Sequence, residues 1–111
     1  VRTLIKQDFE RVFKDFDVLL APTAPVTAWE FNKRSDDPIA MYAADVCTVS
    51  VNIAGLPGMS MPYGADSNGL PIGIQLIGRP LGESTLIRTG YALEQSPYYK
   101  KVKPSIGGSE V

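Results

Sequence analysis

Asp45 is the residue of this sequence whose type and neighbours most clearly suggest ligand binding. It lies in a short segment of helical spacing, beside the apolar Met41, Tyr42 and Val46. A carboxylate in apolar surroundings requires a partner of opposite charge, because an unpaired buried charge is strongly unfavourable. The same spacing also fits a solvent-exposed acid or a cap for the following segment. From the residues alone, both interpretations of Asp45 stay open.

Two other places in the sequence have residue types that could supply a nucleophile. Cys47 is the only thiol, but the chain contains no histidine to activate it, so a structural cysteine is favoured. Gly107-Gly108-Ser109 has the composition of a nucleophile loop, but no strand or helix pattern surrounds it. The absence of histidine also excludes Ser-His-Asp and Cys-His pairs within the chain. The residues therefore predict no catalytic group and no metal site in this chain.

Length and composition are those of one small globular domain or of part of a larger one. The 111 residues carry a formal net charge of −1, which gives no electrostatic basis for binding nucleic acid or an anionic membrane. No apolar run reaches the ~20 residues of a membrane span. The lone cysteine cannot form an internal disulfide and favours a reducing, cytoplasmic setting. Because the chain opens at Val1 directly into a helical pattern, we expect it to be a piece of a longer protein.

The elements that would position these residues begin with an amphipathic helix and a buried strand. Apolar residues, three of them phenylalanine, recur at spacings of three and four from Val1 to Phe16, which predicts a helix packed on a core. Residues 17–21 are short and mostly apolar, so they predict a buried strand and, after a helix, an α/β fold. Residues 22–25 (PTAP) are a plain turn or the lining of a site, since open α/β sheets bind ligands beyond the carboxyl ends of their strands.

The middle of the chain predicts a second helix and leaves one segment ambiguous. Asp37-Pro38 favours a helix start, because aspartate caps free N–H groups and proline suits the first helical position. We expect this helix to continue to about Cys47. Residues 48–56 are compatible with a strand or with a continued helix, since they combine β-branched residues with uninterrupted spacing.

The last part of the chain predicts a β-hairpin and a final helix. Residues 59–63 and 70–77 have strand patterns and flank a turn-rich segment. Gly73, inside the second strand, indicates a bulge or a close approach of another group to the backbone. The final helix opens at residues 82–84, and we expect five of its residues to face inward: Leu86, Ile87, Gly90, Tyr91 and Leu93.

Several runs of residues resemble one enzyme family. VNIAGLPG at residues 51–58 and GLPIGIQLIG at residues 69–78 resemble the amidase signature family in general. Asp-Asp-Pro at 36–38, with Met41-Tyr42 and Asp45, resembles in particular the subunits that hydrolyse glutamine in the amidotransferases acting on glutamyl-tRNA(Gln). The resemblance extends from Val1 to about Gln95.

The resemblance implies an α/β fold with a mixed sheet flanked by helices, a carboxy-terminal piece of an α/β/α sandwich. Residues 1–96 would belong to the amidase domain, and residues 97–111 would form a flexible tail. Such subunits hydrolyse glutamine and pass the ammonia to other amidotransferase subunits, where Glu-tRNA(Gln) is activated with ATP and Mg and amidated. Their catalytic device is a Ser–cis-Ser–Lys arrangement, in which lysine is the base and the second serine the nucleophile. No cofactor is implied for this chain itself.

One functional position of the family matches this sequence, and the catalytic ones do not. Asp45 matches the acid that receives the α-amino group of glutamine, a role suited to an ammonium–carboxylate pair. The chain has no Ser-Ser pair and no glycine–serine signature loop, and no residue matches the partner of the substrate's α-carboxylate. We therefore expect the chain alone to be inactive.

Two alternatives remain open from the sequence. The chain could belong to an amidase-signature enzyme acting on a different amide, in which case Asp45 would have no α-amino group to bind. It could also be a free-standing, non-enzymatic α/β module. If the chain is a piece of a larger sheet, its exposed strand edges and apolar faces should promote self-association.

Overall fold

The chain contains both helices and strands, as the sequence predicts. A computed structural model describes residues 1–30, 37–97 and 99. Within them it contains α1 (Arg2–Val12), β1 (Val18–Pro22), α2 (Pro38–Ala44), α3 (Val46–Ala54), β2 (Gly58–Ala65), β3 (Pro71–Gly78) and α4 (Glu83–Glu94). The predicted α/β fold is confirmed. Among these described helices, none combines the length and the apolar character needed to cross a membrane.

The three strands form one sheet in the order β1-β3-β2, with β3 in the centre. The predicted hairpin is confirmed, since β2 pairs antiparallel with β3, from Gly58 opposite Ile77 onward. β1 pairs antiparallel with the other side of β3, from Val18 opposite Gly78 to Pro22 opposite Ile74. Each outer strand therefore has β3 as its neighbour, and its other edge is unpaired within the described residues.

Helices cover both faces of this sheet, because β3 sends apolar side chains alternately to either side. Ile77 packs with Phe13 and Val51, so α1 and α3 cover one face. Leu76, only 1% exposed, packs with Met61 and Leu86, so α4 covers the other face. The result is the α/β/α layering that the resemblance implies.

The helical segment from residue 37 to residue 54 breaks where the sequence predicted continuity. Asp37 caps α2 as expected, with its carboxylate accepting hydrogen bonds from the N–H groups of Ile39 and Ala40. However, α2 ends at Ala44 and not near Cys47, because the backbone at Asp45 leaves helical geometry. The ambiguous residues 48–56 are mostly helical and belong largely to α3, which is held on the sheet by the buried Val51 and Ala54.

Some residues expected in the core lie at the surface. Phe16 is 58% exposed because α1 ends at Val12, so Phe16 no longer follows the helical stripe. In α4 the buried residues are Leu86 and Gly90, with Leu93 partly buried. Ile87 and Tyr91 lie one position further around the helix and are 63% and 65% exposed.

The irregularity expected at Gly73 lies in the opposite strand. The register shift falls between Pro62 and Ala65 of β2, where Gly64 adopts a left-handed conformation with φ of 88°. At Gly73, a Cβ atom would lie only 3.3 Å from the side chain of Thr23. Gly73 therefore permits a close approach of the loop after β1, which was the second of the two sequence interpretations.

Little of the predicted tail, residues 97–111, is described. Tyr99 packs on the α4 side of the sheet and its ring lies 5.8 Å from that of Tyr63. Gly107-Gly108-Ser109 lies outside the described residues.

Candidate functional site

Asp45 lies at the junction of α2 and α3, where hydrogen bonds hold its backbone and its side chain is exposed to solvent. Its N–H donates to the carbonyl of Tyr42 at 3.2 Å, and its own carbonyl accepts from the N–H and the hydroxyl of Thr48, each at 3.1 Å. The carboxylate is exposed and makes no hydrogen bond or ion pair with any described residue.

The apolar neighbours expected around Asp45 do not bury it. Met41, Tyr42 and Val46 are 42%, 74% and 57% exposed, so this side of the junction forms a partly apolar surface. Asp45 is therefore the solvent-exposed acid of the second sequence interpretation and not a buried carboxylate. It occupies the position that precedes α3, but its side chain makes no capping hydrogen bond there.

Gln75 connects the α2–α3 junction to the sheet. It is 5% exposed, and its side-chain amide donates to the carbonyl of Cys47 at 2.7 Å and to that of Pro22 at 3.0 Å. Both N–H groups of this amide therefore donate hydrogen bonds, one to the first turn of α3 and the other to the last residue of β1. This link sets the position of the junction relative to the end of β1.

The loop after β1 lines a cavity of about 420 Å³, as one of the two sequence interpretations proposed. Thr23 donates its N–H to the carbonyl of Gly73 at 3.0 Å, and its hydroxyl lies 2.9 Å from that of Ser60. A second cavity of about 240 Å³ shares Thr23 and Ser60 and is also lined by Gln75 and the α3 residues Thr48 and Asn52. Asp45 lines neither cavity.

Asp66 fixes the far end of the same loop. One carboxylate oxygen accepts from the hydroxyl of Thr27 at 2.7 Å, and the other accepts from the N–H groups of Asn68 and Leu70, each at 2.9 Å. These bonds favour the ionised form, so the hydrogen bond from Thr27, followed by that from Leu70, lowers the pKa of Asp66. The loop is therefore held at Thr23 by β3 and at Thr27 by the hairpin turn.

The region around the two cavities combines polar and apolar groups. Hydroxyl and carboxamide groups, which can exchange hydrogen bonds with a polar ligand, line the two cavities together with apolar side chains. Asp45 lies three positions before Thr48, which lines the smaller cavity and bonds the carbonyl of Asp45. Across residues 1–30, 37–97 and 99, no three histidine, cysteine, aspartate or glutamate side chains are grouped so that they could hold a metal ion. Cys47 is partly buried, and its carbonyl, rather than its thiol, makes the contact that organises the junction.

Sequence reasoning missed Gln75 and Ser60, and it included Thr23 only as part of the loop at residues 22–25 that could line a site. A signal for Gln75 was present, because it is the single amide in an otherwise apolar strand, and a polar side chain buried in a central strand must find hydrogen-bond partners. No sequence pattern predicts the contact between Thr23 and Ser60, since the two residues are 37 positions apart.

Comparison with known proteins supports the family that the sequence resembles. Residues 1–87 match the sequence profile of the Amidase family. The chain is 56% identical over 108 residues to the A subunit of glutamyl-tRNA(Gln) amidotransferase from Ligilactobacillus salivarius, covering 97% of this chain and 22% of that protein. It is 53% identical over 112 residues to the protein of the same name from Desulforudis audaxviator, covering 23% of it. The chain thus spans about a fifth of the length of these relatives.

Solved structures give the same result for the fold. The A subunit of glutamyl-tRNA(Gln) amidotransferase from Thermotoga maritima superposes with a TM-score of 0.81 at 35% identity, over 93% of this chain and 24% of its own. An allophanate hydrolase from Kluyveromyces lactis superposes with a TM-score of 0.66 at 33% identity, over 78% of this chain. Since the family profile matches most of its length, the chain belongs to the amidase family.

Proposed function

We propose that this chain is the carboxy-terminal part of the glutamine-hydrolysing subunit of a glutamyl-tRNA(Gln) amidotransferase. In this role the full-length subunit releases ammonia from glutamine, and other subunits use it, with ATP and Mg, to convert Glu-tRNA(Gln) to Gln-tRNA(Gln). The observation that carries the proposal is the identity of 46–56% to proteins named as the A subunit of this enzyme, over at least 96% of the chain. The serine nucleophile, bridging serine and lysine base lie outside this chain, which we expect to release no ammonia from glutamine when purified alone.

Asp45 is the part of this proposal that rests on the chain's own geometry. A free carboxylate held at a helix junction suits the α-ammonium group of an amino acid, because a charge-assisted hydrogen bond is about twice as strong as a neutral one. The carboxylate has no competing partner among the described residues, so binding the ammonium breaks no ion pair with any of them. In this role Asp45 orients glutamine and takes no part in the proton transfers.

Ammonia release by the full-length subunit, assembled with its partner subunits, tests this proposal. We expect Asp45→Asn to lower kcat/KM for glutamine by roughly ten- to a hundredfold, the effect of losing one charge-assisted contact. Glutaric acid monoamide, which is glutamine without its α-amino group, should be hydrolysed equally well by both forms. Asp15→Asn, at an exposed aspartate just beyond α1, serves as the matched control and should change neither rate.

Two results would contradict the proposal. A full-length wild-type enzyme that releases no ammonia from glutamine would contradict the assigned reaction. Equal losses on glutamine and on glutaric acid monoamide in the Asp45→Asn enzyme would contradict the assigned role of Asp45.

The similarity to an allophanate hydrolase, at 33% identity, favours a second candidate function, the hydrolysis of a different amide. Under this alternative Asp45 would lack an α-amino group to bind, and Asp45→Asn would leave the kinetics with the natural substrate unchanged. The two candidates are therefore separated by the same pair of substrates.

A further inference from the structure

Gln75 occupies a position that the proposed function does not yet explain. It belongs to the central strand β3, where its backbone lies opposite Ala21 of β1 and Ser60 of β2. Its side chain is 5% exposed, and its amide uses both N–H groups on two backbone carbonyls, those of Pro22 and Cys47. These carbonyls belong to different segments, 53 and 28 residues away in sequence.

The two carbonyls lie at the two places where the candidate site is built. Pro22 ends β1 and begins the loop that lines the larger cavity. Cys47 is the second residue of α3, two positions after Asp45. Between Asp45 and Cys47 the chain is short and bound to itself, since Thr48 donates both its N–H and its hydroxyl to the carbonyl of Asp45. The Cys47 carbonyl and the Asp45 backbone therefore belong to the same short, hydrogen-bonded turn.

We propose that Gln75 is a positioning residue for substrate binding, which holds the Asp45 carboxylate at a fixed distance from the loop after β1. This inference rests on the proposed function, because it concerns where the α-amino group of the substrate is bound. Asp45 has no side-chain contact of its own to fix it among the described residues, so its position depends on the backbone of the junction. Gln75 joins that backbone directly to the centre of the sheet, which is the most buried part of the structure.

A purely structural role would have a different signature. If Gln75 only stabilised the fold, its replacement would lower the amount of folded enzyme and reduce the hydrolysis of every substrate in proportion. If it positions Asp45, its replacement weakens the one interaction that glutamine has and glutaric acid monoamide lacks. The two roles are therefore separated by substrate and by the balance between KM and kcat.

The test uses Gln75→Met in the full-length subunit with its partner subunits, because methionine has the length of glutamine and no amide donors. We expect KM for glutamine to rise about tenfold or more, since misplacement of a binding group by about 1 Å can reduce kcat/KM by up to ~100-fold. The value of kcat should stay within about twofold, as for a loss of substrate binding. Gln7→Met, the same change at an exposed glutamine of α1, is the control and should leave both constants unchanged.

A double substitution completes the test. When Asp45→Asn is already present, adding Gln75→Met should cause little further loss on glutamine, because residues that act through one interaction are not additive. Hydrolysis of glutaric acid monoamide should be the same in all forms. If Gln75→Met does not fold, Gln75→Asn retains an amide but is too short to span both carbonyls, and the same pattern is expected from it.

The outcomes distinguish this inference from the proposed function. Proportional losses on both substrates, additive losses with Asp45→Asn, or failure of both Gln75 variants to fold would show that Gln75 has a structural role only and would overturn the inference. A wild-type enzyme inactive on glutamine, or unaffected by Asp45→Asn, would instead overturn the proposed function itself.

Discussion

Arg79 offers the sharpest test of how this small sheet holds its first helix. It follows β3 directly and reaches back to the end of α1, where its Nε and Nη2 donate to the carbonyl of Phe13 at 3.2 and 2.5 Å. Nη2 also donates to the carbonyl of Phe16 at 3.2 Å, and Nη1 lies 3.2 Å from the carboxylate of Asp17. A helix ends with unsatisfied carbonyls, so this guanidinium both bonds them and complements the negative end of the helix dipole.

The carbonyl bonds should contribute more than the ion pair. Hydrogen bonds from a charged donor contribute about 1.5–3 kcal/mol, but the side chain is 48% exposed, so water replaces part of this in the variant. We therefore expect Arg79→Ala to lower the free energy of unfolding by about 2 kcal/mol. Asp17 is 82% exposed, and exposed ion pairs contribute about 0–1 kcal/mol, so Asp17→Asn should change stability by less than ~0.5 kcal/mol.

Arg79→Lys separates charge from geometry. Lysine keeps the positive charge at the helix end, worth about 0.3–1 kcal/mol, but it cannot reproduce the planar fork that reaches two carbonyls. The decrease in the free energy of unfolding caused by Arg79→Lys should therefore be about 1 kcal/mol, between the decreases caused by Arg79→Ala and by Asp17→Asn.

Urea denaturation of the chain, followed by circular dichroism at a concentration where one species sediments, measures all three variants. We expect the loss of stability to be largest in Arg79→Ala, smaller in Arg79→Lys and smallest in Asp17→Asn, with unchanged m-values. The reasoning would be refuted if Asp17→Asn were as harmful as Arg79→Ala, because the ion pair would then dominate.

Three further predictions follow from the core, the hairpin turn and the sheet edge. Leu86→Ala should lower stability by about 2–5 kcal/mol in the same urea assay, whereas Ile87→Ala on the exposed side of α4 should cost less than ~0.5 kcal/mol; equal effects would place both residues in the core. Because the pKa of Asp66 is lowered in the folded state from its ordinary 3.8, its stabilising effect is present above that pH and is lost as the pH falls through the folded value; Asp66→Asn should lack this part of the acid-induced loss, and identical acid profiles would contradict it. The chain should self-associate in sedimentation experiments, and Leu20→Lys on the edge strand β1, where Leu20 is 63% exposed, should weaken that association; a monomer at every concentration would show that the edge is inert.

Local patterns in the sequence predict the elements of this fold well where one signal dominates. The helical spacing of α1, the cap at Asp37 and the turn between β2 and β3 all predict structure that is present. Residues 48–56 could not be assigned, because the choice depends on burial of Val51 beneath Phe13 and Ile77, a contact with distant parts of the chain. The break of the helix at Asp45 was only one of the interpretations that the spacing allowed, as a cap for the following segment.

The candidate site could be predicted only in part for the same reason. The resemblance selected Asp45, and its place at a helix junction is compatible with the binding role. Gln75 could be recognised as a buried amide that needs partners, but its partners, like those of Arg79 outside the site, are backbone carbonyls, which a sequence pattern does not identify. The distances they span in sequence, 28 and 66 residues, place these contacts beyond any local periodicity.

The central position of β3 also fixes the order in which the molecule can be assembled during synthesis. The β2–β3 hairpin is local and can close within about 1–10 μs of its appearance. The first helix and strand emerge earlier but must wait for Arg79, 66 residues after Phe13, a delay of roughly 3–13 s at 5–20 residues per second. During that interval Phe13 lacks its contact with Ile77, and β1 lacks its pairing with β3. Within this part of the nascent protein, α1 and β1 are therefore the elements that wait longest for their packing and pairing partners.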